Sequence, residues 1–292
     1  MAREIICTNE DEISISLTDS FSPWLLQSCE GIYEVSNKIT TSENTMNNGS
    51  TFQGSNARER NIILVLRDRP EADHQANREY LYSVFKPRSV GKFTYQENGI
   101  IRMIDYYVES ILIDAAKRSR TATISLICTN PFFQAPDESI VKIAGWNAYF
   151  QWPHEFPAEG EEFGARSNER LKEIDNSTAA DGIGITITVE ANGPVTTPTI
   201  YQVEQGNEIT IGTDSNPLYL YAGEKLIITT HTNNKHVYMV REGVKTEINE
   251  YLTEDSEFLQ LMHGINTFGY SAVSGVEYIS ISIAYRYQYL GV

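Results

Sequence analysis

Four segments decide the fold: NIILVLR at Asn61–Arg67, REYLYSVFKP at Arg78–Pro87, GKFTY at Gly91–Tyr95 and ATISLICTNPFF at Ala122–Phe133. The first segment is an aliphatic run that is far too short to span a bilayer and is typical of a strand buried on both faces. The second segment has a helical pattern, and the last alternates apolar and polar residues as a half-buried strand does. Together the segments predict a strand, a helix, a hairpin and a further strand, in this order.

The helix is predicted to run from Pro70 to Lys86. Proline suits a first helical turn, and Glu71 and Asp73 suit the positive end of the helix dipole. Pro87 ends the helix because the residue before a proline disfavours helical backbone. One side of the helix carries an apolar stripe, which consists of Ala76, Tyr80, Leu81, Val84 and Phe85.

Strand patterns with a period of two dominate the rest of the chain. Such alternation predicts half-buried strands of antiparallel sheets. The clearest runs are Ile13–Leu17, Ala122–Cys128, Ile183–Val189 and Ile279–Tyr289. Turn signals separate the later strands at the spacing of an all-β sandwich. The fold class is therefore predicted to be mainly β, with an α+β N-terminal domain that has one helix, followed by a β-sandwich.

Two domains are predicted, at residues 1–135 and 136–292. A chain of 292 residues suits one or two domains, each with a core of its own. Asn130-Pro131 and the proline-rich stretch Pro153–Pro157 bracket the region in which the boundary is expected.

Charge and cysteine usage exclude several functions. The net charge is −16 and no cluster of Lys and Arg appears, so strong binding to nucleic acid is not expected. No apolar signal segment follows Met1, and the three cysteines show no metal spacing, which fits a reducing cytoplasm. Cys128 is predicted to be a small core residue. No phosphate loop, nucleophile elbow or zinc-protease motif is present, so neither a cofactor nor a catalytic residue is predicted.

One stretch, Ser36–Asn56, has an unusual composition. Of its 21 residues, 13 are Ser, Thr or Asn, and only Ile39, Met46 and Phe52 are large and apolar. Such a stretch buries too little apolar surface to fold alone. It is therefore either a mobile surface loop or an arm that orders against a partner, with these three residues as its candidate anchors.

Three further groups of residues have side chains that suit a chemical site. His231 and His236 flank Asn233-Asn234, and a two-residue turn there would place the two imidazoles opposite each other. Zinc needs three or four ligands, so no metal site is predicted. The glutamates within 155–162 are expected in a solvated loop rather than as a pair for glycoside cleavage. The aromatic residues within 146–152 either pack near the domain boundary or form a platform for a sugar.

The chain resembles the distal tail proteins (Dit) of siphophages, also called the phage tail component family. The resemblance rests on short sequence motifs, which occur in the same order along nearly the whole chain. In the first half these motifs are FSPWLL at Phe21–Leu26, EGI at Glu30–Ile32, RNIIL at Arg60–Leu64, Lys86-Pro87, Gly91–Tyr95 and Cys128–Phe132. In the second half they are Glu155–Pro157, NGPVTTP at Asn192–Pro198, AGEKL at Ala222–Leu226 and SEFLQLMHGIN at Ser256–Asn266.

The resemblance implies a structural protein of a siphophage, prophage or tailocin-like tail tip. In it, the first domain closes into a homohexameric ring that continues the tail tube, and the second is a galectin-like β-sandwich on the outside. The implied partners are other copies of the chain, the tail tube protein, the tail-associated tip protein and a receptor-binding protein. The implied location is the virion tail tip, after assembly in the cytoplasm of the host bacterium. No membrane contact and no enzymatic activity are implied.

Duplex DNA would pass through such a ring without being held tightly. A lumen with more Asp and Glu than Lys and Arg would repel phosphates and let the duplex slide. The group formed by Arg58, Arg60, Arg67 and Arg69 is then expected at subunit contacts or at adjoining rings.

Two other classes of function remain open from the sequence. A carbohydrate-binding adhesin module of a tail tip would show exposed Trp and Tyr on a concave sheet face. A cell-wall hydrolase would show a buried pair of carboxylates in a cleft.

Overall fold

A computed structural model describes residues 3–43, 48–69, 73–114, 120–144, 146–148, 164–166, 170–177, 180 and 182–292. The chain forms two compact units. The first comprises Met1–Pro136 together with Gln288–Val292, and the second comprises Asp137–Tyr287. The predicted second domain runs from residue 136 to the end of the chain. The structure differs there, because the last five residues, Gln288–Val292, belong to the first unit.

The described residues of the first unit form ten strands before the boundary and one helix. They are β1 (Glu4–Asn9), β2 (Ser14–Ser16), β3 (Trp24–Glu30), β4 (Asn37–Glu43), β5 (Ser50–Ala57), β6 (Arg60–Asp68), α1 (His74–Val84), β7 (Val90–Glu97), β8 (Ile100–Asp114), β9 (Thr121–Cys128) and β10 (Phe133–Gln134).

The second unit contains strands and two short 3₁₀ helices, at Asn249–Tyr251 and Val276–Tyr278. Its strands are β11 (Ser139–Ala144), β12 (Trp146–Ala148), β13 (Gly164–Arg166), β14 (Leu171–Asn176), β15 (Ile183–Gly184), β16 (Thr186–Ala191), β17 (Val195–Gln202), β18 (Asn207–Thr210), β19 (Tyr219–Leu220), β20 (Lys225–His231), β21 (Asn234–Arg241), β22 (Val244–Glu247), β23 (Gln260–Leu261), β24 (Gly264–Ser274) and β25 (Ile279–Tyr285). A last strand, β26 (Gln288–Tyr289), belongs to the first unit.

The main sheet of the first unit is antiparallel and has the order β2-β1-β7-β8-β9-β6-β3, with β10 pairing to β8 and β26. The amide of Leu26 in β3 donates to the carbonyl of Leu17, directly after β2, at 3.1 Å. The two ends of the sheet therefore meet, and the sheet encloses a core of alternate strand residues such as Ile5, Leu64 and Ile124.

The aliphatic run of β6 is buried on one face only. Ile62, Leu64 and Leu66 are fully buried, whereas Ile63 and Val65 are partly exposed. The prediction of burial on both faces is wrong because β6 lies between β9 and β3 in a single curved sheet, whose outer face is not covered by another layer within the described residues.

The predicted helix is present but begins later than expected. Asp73 is the N-cap residue in extended backbone, and its carboxylate accepts from the amides of Gln75 and Ala76. Pro70 and Glu71 lie outside the described residues. Leu81, Val84 and Phe85 of the predicted stripe are buried in the core. The helix ends at the C-cap residue Phe85, which lies two residues before Pro87 and whose amide donates to the carbonyl of Leu81.

The second unit is a β-sandwich. One sheet has the order β11-β25-β16-β20-β21-β22, and the other has the order β14-β24-β17-β18, with β19 beside β17. Both sheets contribute to one core, for example Ile187 and Ile283 from the first sheet and Ile200 and Phe268 from the second. The predicted fold class, mainly β with one α-helix, is therefore confirmed for the described residues. No described helix has the length and apolarity to cross a bilayer.

Candidate assembly interface

The polar stretch forms a regular antiparallel hairpin. Its two strands, β4 and β5, pair from Asn37–Ala57 at the base to Glu43–Ser50 near the tip, with a bulge at Gln53. The hairpin is hereafter called the arm. Neither sequence-based alternative expected ordered strands, because the stretch has no alternating apolar pattern. Its β-branched threonines and its ladder of backbone pairs on both sides of the bulge favour the strand form without such a pattern.

The arm is exposed on both faces. All residues of β4 and most of β5 are exposed, and Ile39 and Phe52 each retain 63% of their accessible surface. Phe52 lies opposite Thr41, which shares a face with Ile39, so the two apolar side chains lie on the same face. Met46 lies outside the described residues. An isolated two-stranded hairpin is at best marginally stable in water. The two exposed apolar side chains make this face a candidate contact surface.

The base of the arm is held by Arg60, which is only 5% exposed. Its guanidinium donates to three carbonyls: Nε to Pro131 at 2.8 Å, Nη1 to Gly31 at 2.6 Å and Nη2 to Leu290 at 2.5 Å. It also lies 4.9 Å from the centroid of the Phe133 ring. Burial lowers the pKa of Arg60. Arginine suits this position because its fork of donors reaches several acceptors at once.

Gly31 lets the two feet of the arm approach each other. Its φ is +85°, and a Cβ atom there would lie 1.9 Å from the carbonyl oxygen of Asn61. The amide of Arg58 donates to the carbonyl of Ser36 at 2.8 Å and closes the base. Any residue with a side chain at position 31 would separate these two segments.

A cavity of about 400 Å³ lies beside the arm base. It is lined by Gly31, Glu34, Val35, Ser36, Arg58, Glu59, Arg60, Asn61, Pro131, Phe132 and Leu290. Two arginines and two glutamates balance one another in this lining, so its charge selects neither an anion nor a cation.

The four arginines expected at subunit contacts are in different surroundings. Arg60 is used inside its own unit, so that expectation is wrong for this residue. Arg69 donates from Nε to the carbonyl of Ser22 at 2.8 Å, while Arg58 and Arg67 are exposed. Sequence reasoning missed the role of Arg60, although a signal was present. Arg60 is in phase with Ile62, Leu64 and Leu66, so the period of two already placed it on the core face of β6.

The expected pairing of His231 with His236 is wrong by one residue. The turn is formed by Thr232 and Asn233, and Asn233 has a φ of +62°. His231 consequently faces Asn234, and His236 faces Thr229. Thr229 supports this pairing, because its hydroxyl accepts from the amide of its partner His236 at 3.2 Å. His236 contacts Glu247 at 2.6 Å instead of a second imidazole.

The other candidate chemical sites give no catalytic arrangement among the described residues. No group of three or more His, Cys, Asp or Glu side chains in this part of the chain has the geometry to hold a metal. Burial raises the pKa of both Cys29 and Cys128 to about 12, and Cys128 is confirmed as a core residue. The glutamates of 155–162 and the aromatic side chains of 146–152 lie outside the described residues or have side chains that are not described.

Comparisons with known proteins agree with the fold. Residues 13–128 match the family described as phage tail protein RIFT-related domain. No curated protein sequence matches the chain. The SPP1 Dit protein, described as a paradigm of the hub adsorption apparatus in phages that infect Gram-positive bacteria, is similar with a TM-score of 0.68 at 12% identity, over 98% of this chain and 99% of that chain.

Two further similar structures come from the phage P2 baseplate in its activated conformation. The structure with Ca has a TM-score of 0.52 at 9% identity, and the one with Sr has 0.53 at 10% identity. Each similarity covers 100% of both chains. Residues 13–128 therefore match the model of a phage tail protein domain, and the whole chain shares its fold with the SPP1 Dit protein.

Proposed function

We propose that this protein is the hub of a siphophage tail tip, in which six copies form a ring between the tail tube and the baseplate with its receptor-binding apparatus. The observation that carries the proposal is the coincidence of a phage tail domain at residues 13–128 with an exposed arm inside the same domain. A hub of this kind is a structural protein and needs neither catalysis nor a cofactor.

The arm bridges neighbouring subunits of the ring. Ile39 and Phe52 supply its contact, because they are its exposed apolar side chains among the described residues and share one face. Met46, which lies outside the described residues, is the third proposed anchor. Burying two such side chains against a neighbour contributes about 1.5–3 kcal/mol each, and a closed ring repeats that contact at every interface.

The second unit is the outward part of the hub, with a galectin-like sandwich on which tail-tip or receptor-binding proteins dock. Its charge supports this separate role. The first unit has 14 Lys and Arg against 17 Asp and Glu, a net −3, whereas the second has 9 against 22, a net −13. An acidic outer unit keeps the assembly soluble and leaves the first unit nearly neutral for contacts between subunits.

The carbohydrate-binding alternative is not favoured by the comparisons, which point to hub and baseplate proteins. No group of described residues supports the hydrolase alternative either. Purified protein is accordingly expected to release no sugar or peptide from Gram-positive cell walls. Steady release that disappears on mutation of a single carboxylate or histidine would contradict this proposal.

Native mass spectrometry of the purified, untagged full chain tests the hub directly. We expect a species of six chains, and dilution at raised ionic strength separates it from loose aggregates. A protein that is only monomeric or dimeric over a wide concentration range would contradict the ring.

A further inference from the structure

The contacts of Arg60 join the arm to a segment that is distant in sequence. Arg60 follows the second strand of the arm, and Gly31 precedes the first strand, so their hydrogen bond ties both feet together. The same guanidinium donates to the carbonyl of Leu290, which is 230 residues away in sequence. One side chain thus holds the arm base and the segment Gln288–Val292 at once.

The segment Gln288–Val292 is docked by contacts of its own. Tyr289 pairs with Phe133 and Gln288 with Gln134 in the β10–β26 ladder. The guanidinium carbon of Arg102 lies 3.5 Å from the centroid of the Tyr289 ring. Tyr289 and Val292 also pack against the core of the first unit. The side chain of Leu290 is by contrast 54% exposed, so this residue contributes its backbone carbonyl rather than its side chain.

Arg60 makes no ion pair with a described carboxylate, so its buried charge is stabilised by three carbonyl oxygens and the ring of Phe133. A buried cation that loses one of its acceptors retains the desolvation cost without the full compensation. The position of Arg60 is therefore sensitive to the presence of each acceptor. Loss of the Leu290 carbonyl would leave the guanidinium with the carbonyls of Pro131 and Gly31 alone and so weaken the support of the arm base.

We infer that the segment Gln288–Val292 fixes the base of the arm through Arg60, so that the arm takes its assembly geometry only when this segment is docked. The second unit, Asp137–Tyr287, lies between the arm and the segment in sequence. The arm base is therefore completed only after the second unit has been synthesised. The consequence for assembly rests on the proposed ring, whereas the coupling itself is a property of the single chain.

Hydrogen exchange with mass spectrometry on the full chain tests the coupling. Tyr289→Ala weakens the docking of the segment, and Leu290→Ala is its matched control, because that side chain is exposed. We expect Tyr289→Ala to speed exchange about tenfold or more in the arm-base segments 31–36 and 58–61, and Leu290→Ala to leave them at the parent rate. Faster exchange confined to 133–134 and 288–292 would overturn the inference.

Arg60→Lys tests the coupling from the other side and keeps the fold testable if Tyr289→Ala unfolds. Lysine preserves the charge but does not hold three divergent carbonyls. We expect faster exchange at both the arm base and residues 288–292, whereas Arg67→Lys, at an exposed position of the same strand, changes neither. Unchanged exchange at residues 288–292 would contradict the inference. If the unmodified protein forms no rings, the proposed function is contradicted. The exchange experiment still tests the coupling, because it is measured on the single chain.

Discussion

The arm and the sheet from which it extends are both antiparallel and belong to the same unit, yet they bury their residues in opposite ways. In β6 and β9 every second side chain is buried in a shared core. In the arm, Ile39 and Phe52 remain largely exposed. The sheet is therefore stabilised by its own interior, whereas the arm has a bulged backbone ladder and an apolar face without a covering partner among the described residues. Under the proposed function, the sheet therefore supplies the stability of the unit and the arm supplies its contact with a neighbouring copy.

The largest expected effect comes from the sheet. Leu64→Ala should lower the free energy of unfolding of the single chain by about 2–5 kcal/mol, because it leaves a cavity in a fully buried core. Urea denaturation at a concentration where the chain is monomeric measures the change. Ile63→Ala, on the partly exposed face of the same strand, is the control and should cost clearly less. Equal losses for the two variants would contradict the one-sided burial of β6.

An intermediate effect is expected at the start of α1. Asp73→Ala should destabilise the chain by about 1 kcal/mol, because the amides of Gln75 and Ala76 lose their acceptor. Asp73→Asn keeps an acceptor oxygen and should retain most of the stability. Thermal unfolding of the three proteins side by side checks this ranking, and a loss in the Asn variant as large as in the Ala variant would argue against capping.

The arm should affect stability least and assembly most. Replacement of Asn37–Ala57 by Asn-Gly is feasible, because the Ser36 carbonyl already accepts from the Arg58 amide across the base. The far-ultraviolet circular dichroism and melting of the single chain should stay nearly unchanged, while hexamers disappear from native mass spectra. Persistent hexamers would show that the arm is not the bridge.

A finer test separates the two faces of the arm. Ile39→Ser and Phe52→Ser should each change the unfolding free energy of the single chain by less than about 0.5 kcal/mol, as is usual for exposed positions, and should weaken the ring. Thr40→Ala and Thr51→Ala, on the opposite face, are matched controls that should leave it intact. Sedimentation velocity over a dilution series compares the four variants, and equal weakening on both faces would refute a contact through the apolar face.

The smallest effect is expected with DNA. Only −3 of the net charge of −16 belongs to the first unit, so the lumen depends on which side chains face it rather than on the total. We still expect more Asp and Glu than Lys and Arg along the channel, and hence no retention of duplex DNA by assembled rings at low salt. Tight, salt-sensitive binding in a filter assay would contradict this expectation.

Much of the fold could be predicted from local patterns. The strand at Ala122–Cys128 and the helix follow from periodicity, because burial on one face leaves a direct trace in the sequence. The run Ile183–Val189 is predicted as one strand, but it is divided between β15 and β16, which belong to different sheets. The register of the β20–β21 hairpin could not be predicted, because the turn falls on Thr232 and Asn233, with Asn233 in left-handed backbone, rather than on the pair of asparagines that resembles a turn. The strands of the arm were missed for a related reason, since a hairpin without a buried face has no alternating pattern.

The candidate site was only partly accessible from the sequence. Ile39 and Phe52 stood out as apolar residues in a polar stretch, but their shared face depends on the bulge at Gln53. Arg60 and Leu290 are brought together across 230 residues, and no local pattern reports such a contact.

Negative-stain electron microscopy of the purified full chain, beside the variant that lacks the arm, tests the central claim most directly. The account predicts class averages with six-fold symmetry and a central channel for the parent, and single particles without a ring for the variant. A parent that shows no six-fold ring, or a variant that still forms one, would contradict it.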